Sequence, residues 1–263
     1  MKLRLFQVDA FASRLFAGNP AAVVPLARWL DDATLQAIAA ENNLSETAFF
    51  VGASGAYEIR WMTPVEEVDL CGHATLASGW VVMNELEPGR REVDFRSKSG
   101  PLRVATRGER LALDFPSRAP LPADDAKARL AGALGRAPSL LFASRDYLAV
   151  FDTEDEVRAL EPDMAKTAAL DRLGVCATAA GKDCDFVSRF FAPKAGIPED
   201  PVTGSAHCTL VPYWSKRLGK TRLFARQLST RGGELWCEDR GERVEIAGHA
   251  VKFLEGVVEL PGD

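Results

Sequence analysis

The sequence predicts an α+β fold built on a repeated plan, and three observations carry that expectation. Short runs with strand-like apolar patterning, bounded by Gly, Pro, Asn and Asp, recur along the chain. Helical patterns are few and do not alternate regularly with the strands, which argues against a doubly wound nucleotide-binding fold. Gly72-His73-Ala74 also has a counterpart in Gly204-Ser205-Ala206, 132 positions on (204 less 72) in a chain of 263. That spacing, close to half the chain, predicts two similar units, each presenting one loop and one helix start.

The opening LRLFQVDAF reads as a strand, and FAGNPAAVVP as a Gly-Asn-Pro turn feeding a second. Asp31 and Asp32 can cap a helix in which Leu35, Ile38 and Ala39 recur at helical spacing and which runs out at Asn42-Asn43. TAFFVG and YEIRWMT are strands joined by a Gly-containing turn, and Pro64 blocks simple extension of the second. From Ala74 to about Asn84 an apolar run of helix length follows, whose Ala74, Ala77, Ser78 and Gly79 permit close approach of surrounding strands. Gly lowers helix propensity, so packing must stabilise this helix.

REVDFRS, LRVAT and RLALDFP then read as consecutive antiparallel strands. Pro116, Pro120 and Pro122 interrupt regular structure and set the expected boundary. A first domain over 1–115 and a second over 116–263 follow, with the final strand able to return to the first. The second half resumes with a helix in AKARLAGAL, a strand in LFASRDYLAVF, another helical segment, and strands in GVCATA and FVSRFFAP. The loop GIPEDPVTGSAHC precedes strand-like ARQLST, GELWCED, RVEIAG and AVKFLEGVVEL.

Composition narrows the function. A chain of 263 residues with 47% hydrophobic and 26% charged residues can bury a core without disulfides or a structural metal. The formal charge of −5 comes with no clustered basic stripe, so nucleic acid is not an expected partner. MKLRLFQVDAF has no signal-peptide core, and no apolar run reaches membrane-spanning length, so no membrane partner is expected either. Five cysteines, odd in number and without a CxxC pair, fit a reducing compartment. The expectation is a soluble, cytoplasmic protein.

Polar groups concentrate in three loop-like segments: NNLSET around Glu46, CGHA around His73 and PEDPVTGSAH around Asp200. Glycine at a helix entrance lets the backbone approach a ligand, and the free amides there favour an anion. If both units direct such an entrance at one cleft, a small carboxylated molecule is the natural ligand, with Glu46, His73 and Asp200 supplying proton transfer. Structural readings stand beside these. Glu46, three residues after Asn43, can be a capping partner, His73 a hydrogen-bonded histidine near a helix start, and Asp200 the organiser of an Asx turn. Cys71 with His73, or Cys208 with His207, does not close a four-ligand metal site unaided. No GxSxG elbow supports a hydrolase built on Ser45 or Ser205, and neither Gly72 nor Gly204 lies in a nucleotide-binding signature.

FAGNPAAVV, NNLSETAFF, CGHAT, RLALDFP and EDPVTGSAH, in this order across essentially the whole chain, resemble the phenazine-biosynthesis isomerase family, related in fold to diaminopimelate epimerase and proline racemase. The resemblance implies a diaminopimelate epimerase-like fold: two similar domains, each a barrel-like mixed sheet around a central helix, with the active site between them. It also implies a homodimer and an isomerase that works without metal or organic cofactor, as in conversion of trans-2,3-dihydro-3-hydroxyanthranilate. Carried onto this chain, Glu46 matches the proton shuttle, and His73 and Asp200 the assisting positions. Gly72, Gly204 and Ser205 match loops around the substrate, and Asn19 and Ser45 belong to the same matching segments.

Related cofactor-independent racemases place one thiol on each face of the stereocentre. Cys71 corresponds to one such cysteine, but Thr203 stands at the other position. A threonine hydroxyl is no substitute for a poised thiol, so two-cysteine racemisation is disfavoured. An amino-acid racemase and a non-catalytic small-ligand binding or regulatory protein are the competing expectations.

Overall fold

A computed structural model of the chain describes residues 1–261. The chain divides into two compact units: residues 1–114 with the chain from Ala247 onward, and Phe115–Ile246.

In the first unit, β1 (Lys2–Ala10) pairs antiparallel with β2 (Asn19–Leu26) and with the C-terminal strand (Ala250–Glu259). β2 runs parallel to β3 (Glu46–Ala53), and the crossover holds α1 (Asp32–Asn42). β4 (Ala56–Met62) returns antiparallel, carries the two-residue β5 (Glu67–Val68) and lies parallel to β6 (Glu92–Ser97). Antiparallel β7 (Gly100–Arg107) and β8 (Arg110–Pro116) follow.

The caps read from the sequence hold α1 at both ends. Asp31 accepts a 2.9 Å hydrogen bond from Thr34 N, and Asn43 closes the helix in the left-handed region at φ 49°. Leu35, Ile38 and Ala39 pack against Leu3, Val24, Phe49 and Met62.

Between β5 and β6 lies α2 (Gly72–Val81), in which every residue except Trp80 is buried. A helix apolar all round must be surrounded, and α2 contacts β1, β2, β3 and β7. A Cβ on Gly79 would lie 2.6 Å from Val104 Cγ1 of β7, so only glycine allows this approach. The helix starts at Gly72, two residues before the expected Ala74, and its end is a π-helical turn over Val82–Leu86.

The second unit runs through β9 (Leu121–Pro122), α3 (Lys127–Leu134), β10 (Leu140–Ala143), β11 (Tyr147–Val150), α4 (Glu154–Arg158), α5 (Met164–Ala168) and β12 (Val175–Ala180). It continues through β13 (Phe186–Ala192), β14 (Ile197–Asp200), α6 (Gly204–Leu218), β15 (Arg222–Gln227), β16 (Gly233–Asp239) and β17 (Arg243–Gly248). LFASRDYLAVF, expected as one strand, is the hairpin β10–β11, because the polar Ser144-Arg145-Asp146 turns the chain. The proline-rich boundary segment also holds a short strand, β9, paired with β10.

The repeat is visible in the pairing order. β1 to β4, β6 and β7 pair antiparallel, parallel, antiparallel, parallel and antiparallel, with β5 as a side strand on β4. β10 to β13, β15 and β16 follow the same order, with β14 as a side strand on β13. In each series the long helix follows the side strand and starts at the glycine picked out by sequence. α6 tolerates Pro212 because the carbonyl deprived of its helical partner, that of Cys208, accepts the Arg118 amide at 2.8 Å.

Candidate active site at two helix entrances

In the first unit, Glu46 opens β3 and is not part of the α1 cap, while His73 sits in the first turn of α2. His73 Nε2 lies 3.3 Å from Glu46 Oε2, and both side chains are largely buried, 5% and 13% exposed. Burial pushes the His73 imidazolium down to about 3, so the ring is neutral at physiological pH. Asn19 Nδ2 lies 3.2 Å from His73 Nδ1. With that amide donating, the single ring proton belongs on Nε2, facing the carboxylate.

Asn19 is held there by the turn before it. Gly18 adopts φ +67°, and a Cβ at that position would lie 2.2 Å from Ala10 O. Asn19 is fully buried and starts β2, whose next residues pair in parallel with the start of β3 at Ala21 and Glu46. Ser45 is partly buried in the bend just before Glu46. Within α2 the hydroxyls of Thr75 and Ser78 donate to Cys71 O and Ala74 O, which satisfies polar groups in an apolar helix.

Cys71 Sγ lies 3.5 Å from His73 Nδ1. One ligand atom each of Glu46, Cys71 and His73 fall within 4.8 Å of one another, an N, S and O set of the kind a borderline divalent ion can use. The sequence reading grouped Glu46 with His73 for proton transfer, but for a metal it paired His73 only with Cys71. It also passed over Asp9, a 1% exposed carboxylate in β1 whose Oδ2 accepts the Phe16 amide at 3.1 Å.

The second unit presents a different set. Asp200 ends β14, and its Oδ2 accepts a 2.6 Å hydrogen bond from the Thr203 hydroxyl. Thr203 is the N-cap of α6, yet its side chain does not cap the helix. Gln227, 1% exposed at the end of β15, donates through Nε2 to Asp200 O at 2.8 Å and Thr203 Oγ1 at 3.0 Å. Its Oε1 accepts the Thr203 amide at 2.9 Å. Ser205, beside Gly204 in the first turn, accepts from Arg145 Nη2 at 3.0 Å, while the same guanidinium pairs with Asp146 at 2.8 Å.

His207 is fully buried and donates through Nδ1 to Thr203 O at 2.8 Å, and burial pushes its imidazolium down to about 4. Gln227 and Arg145 were missed by sequence reasoning. For Gln227 a signal existed: in RLFARQ the inward positions alternate as Leu223, Ala225 and Gln227, so the amide falls where an apolar residue is expected.

The candidates thus fall into two groups. Asn19, Glu46, Gly72 and His73 come together in the first unit, with Ser45 adjacent in sequence, and Asp200, Gly204 and Ser205 gather at the second entrance.

Comparison with known proteins finds relatives both of the fold and of the sequence. A probable proline racemase from Agrobacterium radiobacter shares the fold at a TM-score of 0.64 and 12% identity, over 99% of this chain and 93% of that one. A phenazine biosynthesis protein of the PhzF family from Enterococcus faecalis matches at a TM-score of 0.95 and 46% identity, over 99% of this chain and all of that one. An uncharacterized isomerase of Pseudomonas aeruginosa is 52% identical over 99% of this chain and its own whole length. The family model described as phenazine biosynthesis-like protein matches residues 8–256. The chain belongs to the phenazine biosynthesis-like (PhzF) family, and it is an isomerase. No helix among the described residues is long and apolar enough to cross a membrane.

Proposed function

We propose that the chain isomerises a small carboxylated, amino-bearing compound similar to trans-2,3-dihydro-3-hydroxyanthranilate by proton transfer centred on Glu46. The observation that carries this reading is the placing of neutral His73 between the Asn19 amide, 3.2 Å from its Nδ1, and the Glu46 carboxylate, 3.3 Å from its Nε2. A base that must take a proton from carbon and return it elsewhere benefits from a fixed direction and partial exclusion of water. Glu46 has both: it is anchored at the start of β3 and faces an imidazole that cannot become a competing cation near neutral pH.

Glu46 removes a proton from an activated carbon and delivers it to another position of the conjugated system. The atoms balance within the substrate, with no electron acceptor required. His73 holds the Glu46 carboxylate and orients the substrate, while Asp200 receives a hydrogen-bond donor of the substrate. The amide at Gly72, in the first turn of α2, holds its carboxylate. The working form is a cytoplasmic homodimer that needs neither metal nor organic cofactor.

The test is a metabolite screen in deuterated buffer, following mass change and product formation, with Glu46→Gln as the comparison. Glu46→Gln keeps size and polarity but removes the base, so exchange should fall on the order of 10²-fold or more while ligand binding persists. Unchanged turnover in this variant would sink the assignment. Ligand binding without exchange in the native chain would instead favour a binding or regulatory role.

A further inference from the structure

The hydrogen bonds around Thr203 have one self-consistent proton arrangement. The backbone amide of Thr203 can only donate, so the Gln227 atom facing it at 2.9 Å is the carbonyl oxygen Oε1. This fixes the orientation of the Gln227 amide and makes Nε2 the donor to Asp200 O and to Thr203 Oγ1. With Thr203 Oγ1 accepting from Gln227, its single hydroxyl proton turns to Asp200 Oδ2, 2.6 Å away. That separation is typical of a hydroxyl donating to an ionised carboxylate.

We propose that Gln227, acting through Thr203, is a positioning residue that orders this proton and commits Asp200 Oδ2 as an acceptor. Any proton that Asp200 takes up then goes to Oδ1. While Asp200 is ionised, a substrate group meeting that oxygen is a donor, an amino or hydroxyl group; once Oδ1 carries the proton, it donates instead. Thr203 stands where a two-thiol racemase would carry its second cysteine, and its hydroxyl is already engaged in orienting a neighbour. Burial of Gln227 suits this role, since water cannot compete for Thr203 from that side. The significance of this ordering for turnover rests on the proposed part of Asp200 in the reaction.

Carboxyl NMR of the full-length chain, labelled at aspartate and assigned with Asp200→Asn, tests the ordering directly. Loss of a hydrogen bond to the ionised form favours the protonated one, so Thr203→Val should move the Asp200 titration upward by about one pH unit. Gln227→Met should move it in the same direction, and Thr203→Ser, which keeps the hydroxyl, should restore the native curve. An Asp200 titration unchanged in either Thr203→Val or Gln227→Met overturns the proposal. Hydrogen exchange of the Gln227 side-chain amide in the native chain supplies a measurement that depends on no variant folding. Strong protection is expected, and exchange at the rate of a free amide overturns the ordering. Both readouts use unliganded protein, so they are decided separately from the Glu46→Gln exchange assay.

Discussion

His73 Nε2 stands 3.3 Å from Glu46 Oε2 in a setting where the imidazole is neutral. A neutral ring can orient a carboxylate without neutralising it, so Glu46 keeps its capacity as a base. His73→Ala should therefore reduce proton exchange on the order of 10²-fold, the usual loss when one positioned donor is removed. Separate measurement of kcat and KM checks this, and a variant with native kcat would remove His73 from the mechanism.

The two buried histidines make the fold acid-sensitive at a higher pH than its carboxylates do. His73 and His207 are lowered from 6.5 to about 3 and about 4, both by burial. Below 6.5 the unfolded chain takes up protons that the folded chain refuses, so stability is lost as pH falls toward the folded values. From pH 6.5 to 5 the loss should be about 2 kcal/mol per histidine. Glu67, held down to about 2 chiefly by its hydrogen bond with Arg60, adds an acid-labile contribution only below 4.5. Urea denaturation at pH 6.5 and 5 measures the first loss, and His207→Asn should shrink it relative to the native chain. An identical loss in native chain and variant would exclude the assignment to His207.

Gly79→Ala should destabilise the chain even though alanine is the better helix former. The gain in helix propensity is about 1 kcal/mol, while forcing a methyl group to 2.6 Å from Val104 Cγ1 costs about 1–3 kcal/mol. Shortening the opposing side chain in Gly79→Ala/Val104→Ala should recover part of the loss. A double variant no more stable than the sum of both single losses would show that the two positions do not share the space.

Cys71 touches the imidazole but is not the base in the proposed reaction. Cys71→Ala should leave proton exchange within about threefold of native, well inside the factor that marks loss of an acid-base group. Pre-treatment with a strong chelator should leave turnover unchanged, since the step needs only Glu46. Loss of exchange in Cys71→Ala would favour a thiol-based racemase, and loss on chelation would bring the Glu46, Cys71 and His73 donor set into play as a metal site.

Much of the fold was legible because its signals are local. Asp31, Asn43 and the Gly18-Asn19 turn act within a few residues, and α2 announces its burial by being apolar on every face. Ser144-Arg145-Asp146 was not recognised as a turn because the apolar residues on either side read as one strand. Part of the site was legible for the same reason, since Glu46, His73 and Asp200 lie in short polar segments. What links them was not. Asn19 reaches His73 across 54 positions, and Gln227 reaches Thr203 across 24, contacts that only strand order creates.

The partnership of β1 with the C-terminal strand sets an order of events during synthesis. Lys2 lies opposite Glu259, so β1 completes its pairing only after a strand made much later. The unit spanning Phe115–Ile246 is one uninterrupted stretch and can close on itself while β1 still has an open edge. Until the C-terminal strand is made, one edge of β1 lacks its sheet partner and stays open to pairing with another chain. A ribosome that stops short of the final strand would release a chain whose second half is finished and whose Glu46 unit is not.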